Sequence, residues 1–397
     1  MNQPQQNPQT AQKPYQAKLL HRLVYAVGGL VARAMLKDYN FTTDKVPEMD
    51  EPFIIMSNHT TEVDMAMLRM ACPKFMYFVC GEHLLRSKNA GLIRTVADPI
   101  PEPRGGAAVK TVRQIIDRIR SGYSIMIFPE GCRSFNGETI PVTLSTGKMV
   151  KLAGCGLVTY RTTGGYFVAP RWGHKFRKGR MTGQVTGVYT SDQLKSMSAR
   201  EITDLINEGI YEHAYERQKT EPEAYTCDAL AEGLENYLII CPECKSYDSM
   251  ETVGDKFTCS CCGRGGVYDP YGKLVGEGLV YDNVYDWGKW IEEYFDRDME
   301  GRPADELLFT ETDVKLYEID DLAHEQRDLY SGELRVYADR MEIDGRVFDF
   351  KSVSSFSLLY FGKSILFTHT DGYFGITGEH FHAWKCARLL ERYKNGN

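Results

Sequence analysis

The 397-residue chain is short of positive charge. It carries 47 Lys and Arg against 54 Asp and Glu, a net charge of -7 and a pI near 5.8. That balance argues against a general nucleic-acid binder, while leaving a local basic face open. Beyond its first forty residues the chain has no apolar run long enough to cross a bilayer. It has no Gly-x-Ser-x-Gly turn, which disfavours a serine hydrolase of that type. It has no internal repeat. The opening Met1-Asn2-Gln3-Pro4-Gln5-Gln6 is polar and uncharged, unlike a secretory signal. With 11 cysteines, an odd number, the expectation is a reducing, cytosolic compartment in which they serve as thiols or metal ligands rather than disulfides.

The hydrophobic fraction of 43% is that of a globular protein, and the length calls for two or three domains. A polar tail over 1–16 is expected to be disordered. Lys18 to Lys37 reads as a helix, with Leu19, Leu23, Val27, Leu30 and Val31 at helical spacing. Lys13, Lys18, Arg22, Arg33 and Lys37 all precede the first acid, Asp38. This segment is either an amphipathic membrane-docking helix, within 17–50, or a helix packed on its own domain. From Phe53 to about Lys219 apolar strands alternate with helices: Phe53–Met56, Phe75–Val79 and Ser124–Phe128 as strands, Ala107–Arg120 as helix. That alternation implies a layered α/β domain, placed over 51–225.

Chemistry-bearing residues fall at strand ends. His59 and Asp64 are five apart, too far round a regular helix to share a face. They meet only if His59 precedes the helix and Asp64 lies in its first turns, with Asn58 or Thr60 as its cap. A carboxylate on one imidazole nitrogen leaves the other aimed and basic. Phe128-Pro129-Glu130-Gly131-Cys132-Arg133-Ser134 delivers a Glu and an Arg to a turn after a buried strand, and Arg133 offers a planar fork for phosphate. Arg104 stands in the loop Ile100-Pro101-Glu102-Pro103-Arg104-Gly105-Gly106 before a helix, a place that suits an anion.

His59-(four residues)-Asp64, Arg104, the 128–134 segment and Val168-Ala169-Pro170 resemble, in order and rough spacing, the four motifs of glycerolipid acyltransferases, in particular the 1-acylglycerol-3-phosphate (lysophosphatidate) branch. The resemblance covers roughly residues 20–215; Cys132 stands where Thr is commoner, and the second motif is matched loosely. It implies that His59 deprotonates the free hydroxyl of lysophosphatidic acid and that Asp64 holds the imidazole. The alkoxide would attack an acyl thioester of coenzyme A or acyl carrier protein, giving phosphatidic acid. Arg104 and Arg133 would clamp the acceptor's phosphate and Glu130 its glycerol oxygens; Gly131 and Pro170 are carried over as binding-site positions. Two rivals remain: another lysophospholipid as acceptor, and a non-catalytic lipid-binding or scaffold protein.

Cys241-x-x-Cys244, fourteen residues, then Cys259-x-x-Cys262 has the spacing of a structural four-thiolate zinc site, a zinc ribbon over 226–275; Cys261 is the competing ligand. Residues 276–300 hold an aromatic amphipathic helix, read either as packing against the acyltransferase domain or as touching membrane. Over 301–397 the pattern has period two, with hairpin turns at Asp344-Gly345 and Asp371-Gly372 and a closing helix, a topology that resembles pleckstrin-homology or GRAM domains. The whole is expected to be a peripheral enzyme of the cytoplasmic membrane face, with no nucleic-acid partner.

Overall fold

The computed structural model describes residues 15–86, 90–103, 108–320, 325–359 and 362–396. The expected tail, up to residue 14, and Arg104 lie outside the described residues. The first sheet has seven strands: β1 (Thr42–Thr43), β2 (Phe53–Ser57), β3 (Met76–Gly81), β4 (Ile100–Glu102), β5 (Ser124–Ile127), β6 (Gly156–Thr163) and β7 (Thr182–Tyr189). Their spatial order is β1-β7-β6-β2-β5-β3-β4, and every neighbouring pair is parallel except β6 with β7. Strand β2 is buried at all five positions, as expected of a parallel strand covered on both faces. Its side chains alternate between two cores. Ile54 and Met56 join Ile125, Leu157, Ile202 and Ile206 on one face, and Phe53 and Ile55 join Leu68, Met126 and Val158 on the other.

Helices α1 (Leu19–Leu36), α2 (Asp64–Ala71), α3 (Ala90–Ala97), α4 (Ala108–Arg120) and α5 (Leu144–Ala153) accompany this sheet. Helix α1 rests on α2 through Tyr25, whose ring lies 4.1 Å from the Arg69 guanidinium carbon and whose carbonyl accepts the Arg69 Nε–H at 2.9 Å. Its outer face is apolar and bare: Leu19 is 72% and Leu30 71% exposed. Leu19–Tyr39 is long and apolar enough, by length and composition alone, to cross a membrane.

The second sheet is an antiparallel ribbon of β8 (Met250–Val253), β9 (Lys256–Cys259), β10 (Gly265–Tyr268) and β11 (Leu274–Val275). The third, also antiparallel, has seven strands: β12 (Leu307–Asp320), β13 (Glu325–Tyr337), β14 (Arg340–Ile343), β15 (Arg346–Asp349), β16 (Val353–Leu359), β17 (Ser364–His369) and β18 (Gly372–Thr377). The helix Ala383–Asn395 follows it. Asp344 and Gly345, with φ of 53° and 69°, make the expected two-residue turn. At the other hairpin His369 pairs with Gly372, so Thr370 and Asp371 form the loop and the glycine opens the strand.

One apolar core joins these parts, running from Phe167 and Trp172 through Tyr268 to Phe367 and Leu390. The helix Val284–Asp298 sits at its centre and buries Val284, Trp287, Ile291 and Phe295. Trp287 Nε1 donates to the Ile240 carbonyl at 3.0 Å, Phe295 meets Trp384 edge-on at 5.3 Å, and the Tyr285 hydroxyl donates to Glu138 at 2.9 Å. The aromatic stripe is therefore packed on all three parts of the chain.

Gly147 on α5 lies where a Cβ would come within 2.1 Å of the Ala199 carbonyl oxygen, in the helix Ala199–Ile210. Gly147→Ala should cost about 1–3 kcal/mol of stability, measured by urea unfolding.

Candidate active site and cysteine cluster

Strand β2 ends in a buried Ser57-Asn58. Asn58 does not cap the helix, as the sequence suggested. Its amide donates to the Thr162 carbonyl at 2.8 Å and accepts the Thr162 N–H at 2.7 Å, tying the end of β2 to β6. Nor does Thr60 cap α2, whose N-cap is Val63 without a side-chain bond. The buried carboxylate of Asp64 takes that role in reverse. Its Oδ2 accepts the backbone N–H of Thr60 at 2.6 Å and of Thr61 at 3.0 Å, and its Oδ1 accepts the Thr60 hydroxyl at 3.0 Å. The same Oδ2 lies 2.8 Å from His59 Nδ1. With carboxylate oxygen as acceptor, Nδ1 carries the hydrogen and Nε2 keeps its lone pair. The imidazole stacks on Phe128 at 4.6 Å and 21°, and 27% of the side chain remains exposed. Gly165 permits this turn: a Cβ there would meet Thr60 Oγ1 at 2.1 Å.

Glu130 stitches the two motif loops together. Its Oε1 accepts the His59 N–H at 2.5 Å and its Oε2 the Ile140 N–H at 2.7 Å. Both oxygens thus hold backbone, whereas the resemblance implies contacts with a substrate's glycerol. Burial pushes the Glu130 carboxyl up to about 8, against the pull of these two N–H donors. Gly131 turns the loop in the left-handed region, φ 75°. Arg133 Nη2 pairs with Glu62 Oε1 at 2.6 Å, while its buried Nη1 has no hydrogen-bond partner among the described residues. Glu62 was missed because it occupies one of the four unspecified positions between His59 and Asp64. Pro170 is buried, and it is its neighbour Arg171 that reaches the site. Arg171 donates to the Arg133 carbonyl at 2.8 Å and to the Leu358 carbonyl on β16 at 2.7 Å, and stacks on Phe135 at 4.0 Å.

Two cavities flank these groups. A polar cleft of about 860 Å³ is lined by Glu130, Gly131 and Arg133 on one side and by Leu358, Trp384 and Arg388 on the other. An apolar cavity of about 610 Å³ lies between α1 and α2, lined by Val24, Val27, Val31, Met65, Met76 and Met126, with Glu62 at its edge. Because Glu62 borders the apolar space and Arg133 the polar one, their ion pair stands between the two.

The Sγ atoms of Cys241, Cys244, Cys259 and Cys262 all lie within 4.8 Å of one another. Cys241–Cys262 and Cys244–Cys259 are each 3.7 Å apart. A tetrahedron of thiolates about 2.3 Å from a zinc ion has edges of about 3.8 Å, so this set fits such a metal. Cys261 is exposed and outside the cluster.

The Glu130 carboxyl links stability to pH. An unfolded chain releases this proton near 4.5, while the folded chain keeps it to about 8. Stability relative to Glu130→Gln should therefore be greatest below that window, fall as pH rises through it by at most about 1.4 kcal/mol per unit, and level off above. Urea unfolding of both proteins across the window measures it.

Residues 38–163, about a third of the chain, match the family model described as Acyltransferase. Among solved structures, the 1-acyl-sn-glycerophosphate (LPA) acyltransferase PlsC from Thermotoga maritima is similar at 16% identity and a TM-score of 0.41, over 48% of this chain and 79% of that one. No curated protein matches. His59, Asp64, Glu130 and Arg133 all lie inside the residues that match the Acyltransferase model.

Proposed function

We propose that this protein moves a fatty acyl group from a thioester of coenzyme A or acyl carrier protein to the free hydroxyl of a lysophospholipid, lysophosphatidic acid being the simplest such acceptor. The observation that carries the reading is the Asp64-held His59, tied by its N–H to Glu130 in the wall of the polar cleft, with that cleft and an apolar cavity meeting at Glu62–Arg133. His59 Nε2 takes the hydroxyl proton as the alkoxide attacks the thioester carbonyl, and Asp64 stabilises the imidazolium. The tetrahedral intermediate collapses, the C–S bond breaks, and the departing thiolate receives the proton from His59. Arg133 binds the acceptor phosphate, with Arg104 as its second partner by resemblance. Glu130 and Gly131 shape the loop that aims His59, and Pro170 seats Arg171. The apolar cavity suits an acyl chain.

The bare apolar face of α1, flanked by Lys18, Arg22, Arg33 and Lys37, supports membrane docking at the cytoplasmic face. We assign the described parts as a docking segment (17–50), an acyltransferase domain (51–225), a zinc ribbon (226–275), a connecting helix (276–300) and a PH/GRAM-like domain (301–397). Four thiolates leave zinc no open position, so the metal's role is structural.

Purified protein mixed with lysophosphatidic acid in detergent and a panel of acyl thioesters should release thiol and form phosphatidic acid. His59→Ala should lose about 10²–10⁴-fold; transfer that persists in the variant would remove His59 as the base. One zinc per chain should be found by elemental analysis in wild type and in Cys261→Ser, and lost with a lowered thermal midpoint in Cys244→Ser.

A further inference from the structure

The polar cleft is built by more than the acyltransferase domain. Its far wall comes from the helix Val284–Asp298, strand β16 and the C-terminal helix. Among the described residues, five glutamates, one of them the raised Glu130, line it against four basic side chains; Arg104, next to the lining Pro103, lies outside the described residues. A pocket for a phosphate monoester, which carries close to two negative charges, would be expected to hold an excess of cations. The described lining shows no such excess.

Most of these charges are already matched. Arg388 is held by Asp296 at 2.9 and 2.5 Å and by Glu391 at 2.9 Å. Lys289 lies 3.9 Å from Glu138, which also accepts from Tyr285. Both oxygens of Glu130 hold backbone N–H groups. Two groups, one on each wall, keep unused hydrogen-bonding atoms among the described residues, although Arg133 also pairs with Glu62 at 2.6 Å. Arg133 keeps a buried Nη1 with no partner among the described residues. No hydrogen bond or salt bridge joins the half-buried Glu292 to another described residue; burial raises its carboxyl, while the charges of Lys289 and Arg388 pull it down. One donor of positive charge on the near wall and one carboxylate on the far wall complement a phosphodiester that carries an ammonium.

Resting on the acyl-transfer reading, we propose that the cleft is the acceptor's headgroup site and that Glu292, outside the acyltransferase domain, selects a zwitterionic lysophospholipid: phosphate on Arg133, ammonium on Glu292. A cavity of about 860 Å³ has room for a headgroup larger than a bare phosphate.

The test compares kcat/KM for three acceptors with the same acyl chain, lysophosphatidylethanolamine, lysophosphatidylglycerol and lysophosphatidic acid, in mixed micelles at one ionic strength. Wild type should favour the ethanolamine acceptor by about tenfold or more over both anionic ones. Glu292→Gln should collapse that ratio toward one, and Glu292→Lys should invert it. The side chain lies at a cleft surface, and circular dichroism and zinc content of the variants check that they fold. A wild type without preference for the zwitterion, or a preference that survives both substitutions, overturns the assignment while leaving His59-dependent transfer intact. Absence of transfer to all three acceptors overturns the acyl-transfer reading and this inference together.

Discussion

The Asp64 carboxylate is the constraint on which the rest of the candidate site depends. A buried anion is tolerated only with its lone pairs occupied. Asp64 meets that demand within a few residues of itself, from two backbone N–H groups, one hydroxyl and one imidazole nitrogen. The arrangement fixes how the chain turns from β2 into α2, and it fixes His59 with it. Asn58 then anchors the turn to β6, and Glu130 anchors it to the loop after β5. The site is therefore a property of three adjacent strand ends, the usual place for ligand chemistry in a parallel sheet.

The ion pair Glu62–Arg133 marks a boundary between two solvents. On one side is an apolar space under α1; on the other is a charged cleft. An amphipathic acceptor and an acyl donor both need such a boundary, because each has one part that belongs in hydrocarbon and another that belongs in water. The outward face of α1 continues the apolar side onto the protein surface.

The C-terminal half is tied into this arrangement rather than appended to it. Arg171 links the carbonyl of Arg133 to the carbonyl of Leu358 on β16. Farther out, the buried Lys385 lies between Asp248, beside the cysteine knuckle, at 2.6 Å and Glu311, on β12, at 2.7 Å, and His382 reaches the same Asp248 at 2.9 Å. Buried ion pairs of this kind contribute orientation more than net stability.

The α/β layering, the His59–Asp64 pair, the arginine at 133 and the four clustered cysteines were all legible in the sequence, because each is a local pattern: a strand period, a five-residue spacing, a turn after an apolar run, a pair of Cys-x-x-Cys knuckles. Local pattern misassigned Asn58 and Thr60 as caps, since a side chain's hydrogen-bond partner depends on which strand lies alongside. The resemblance gave Glu130 to a substrate's glycerol oxygens, and nothing in 128–134 reveals that the loops at 59 and 140 come to lie on either side of it. Nothing in the local pattern placed Glu62 beside Arg133 or joined Arg171 to Leu358, 187 residues away. What the sequence determined is the chemistry available at each turn. What the tertiary structure decided is which charges are already matched and which remain, since that depends on distances between elements that no linear spacing encodes.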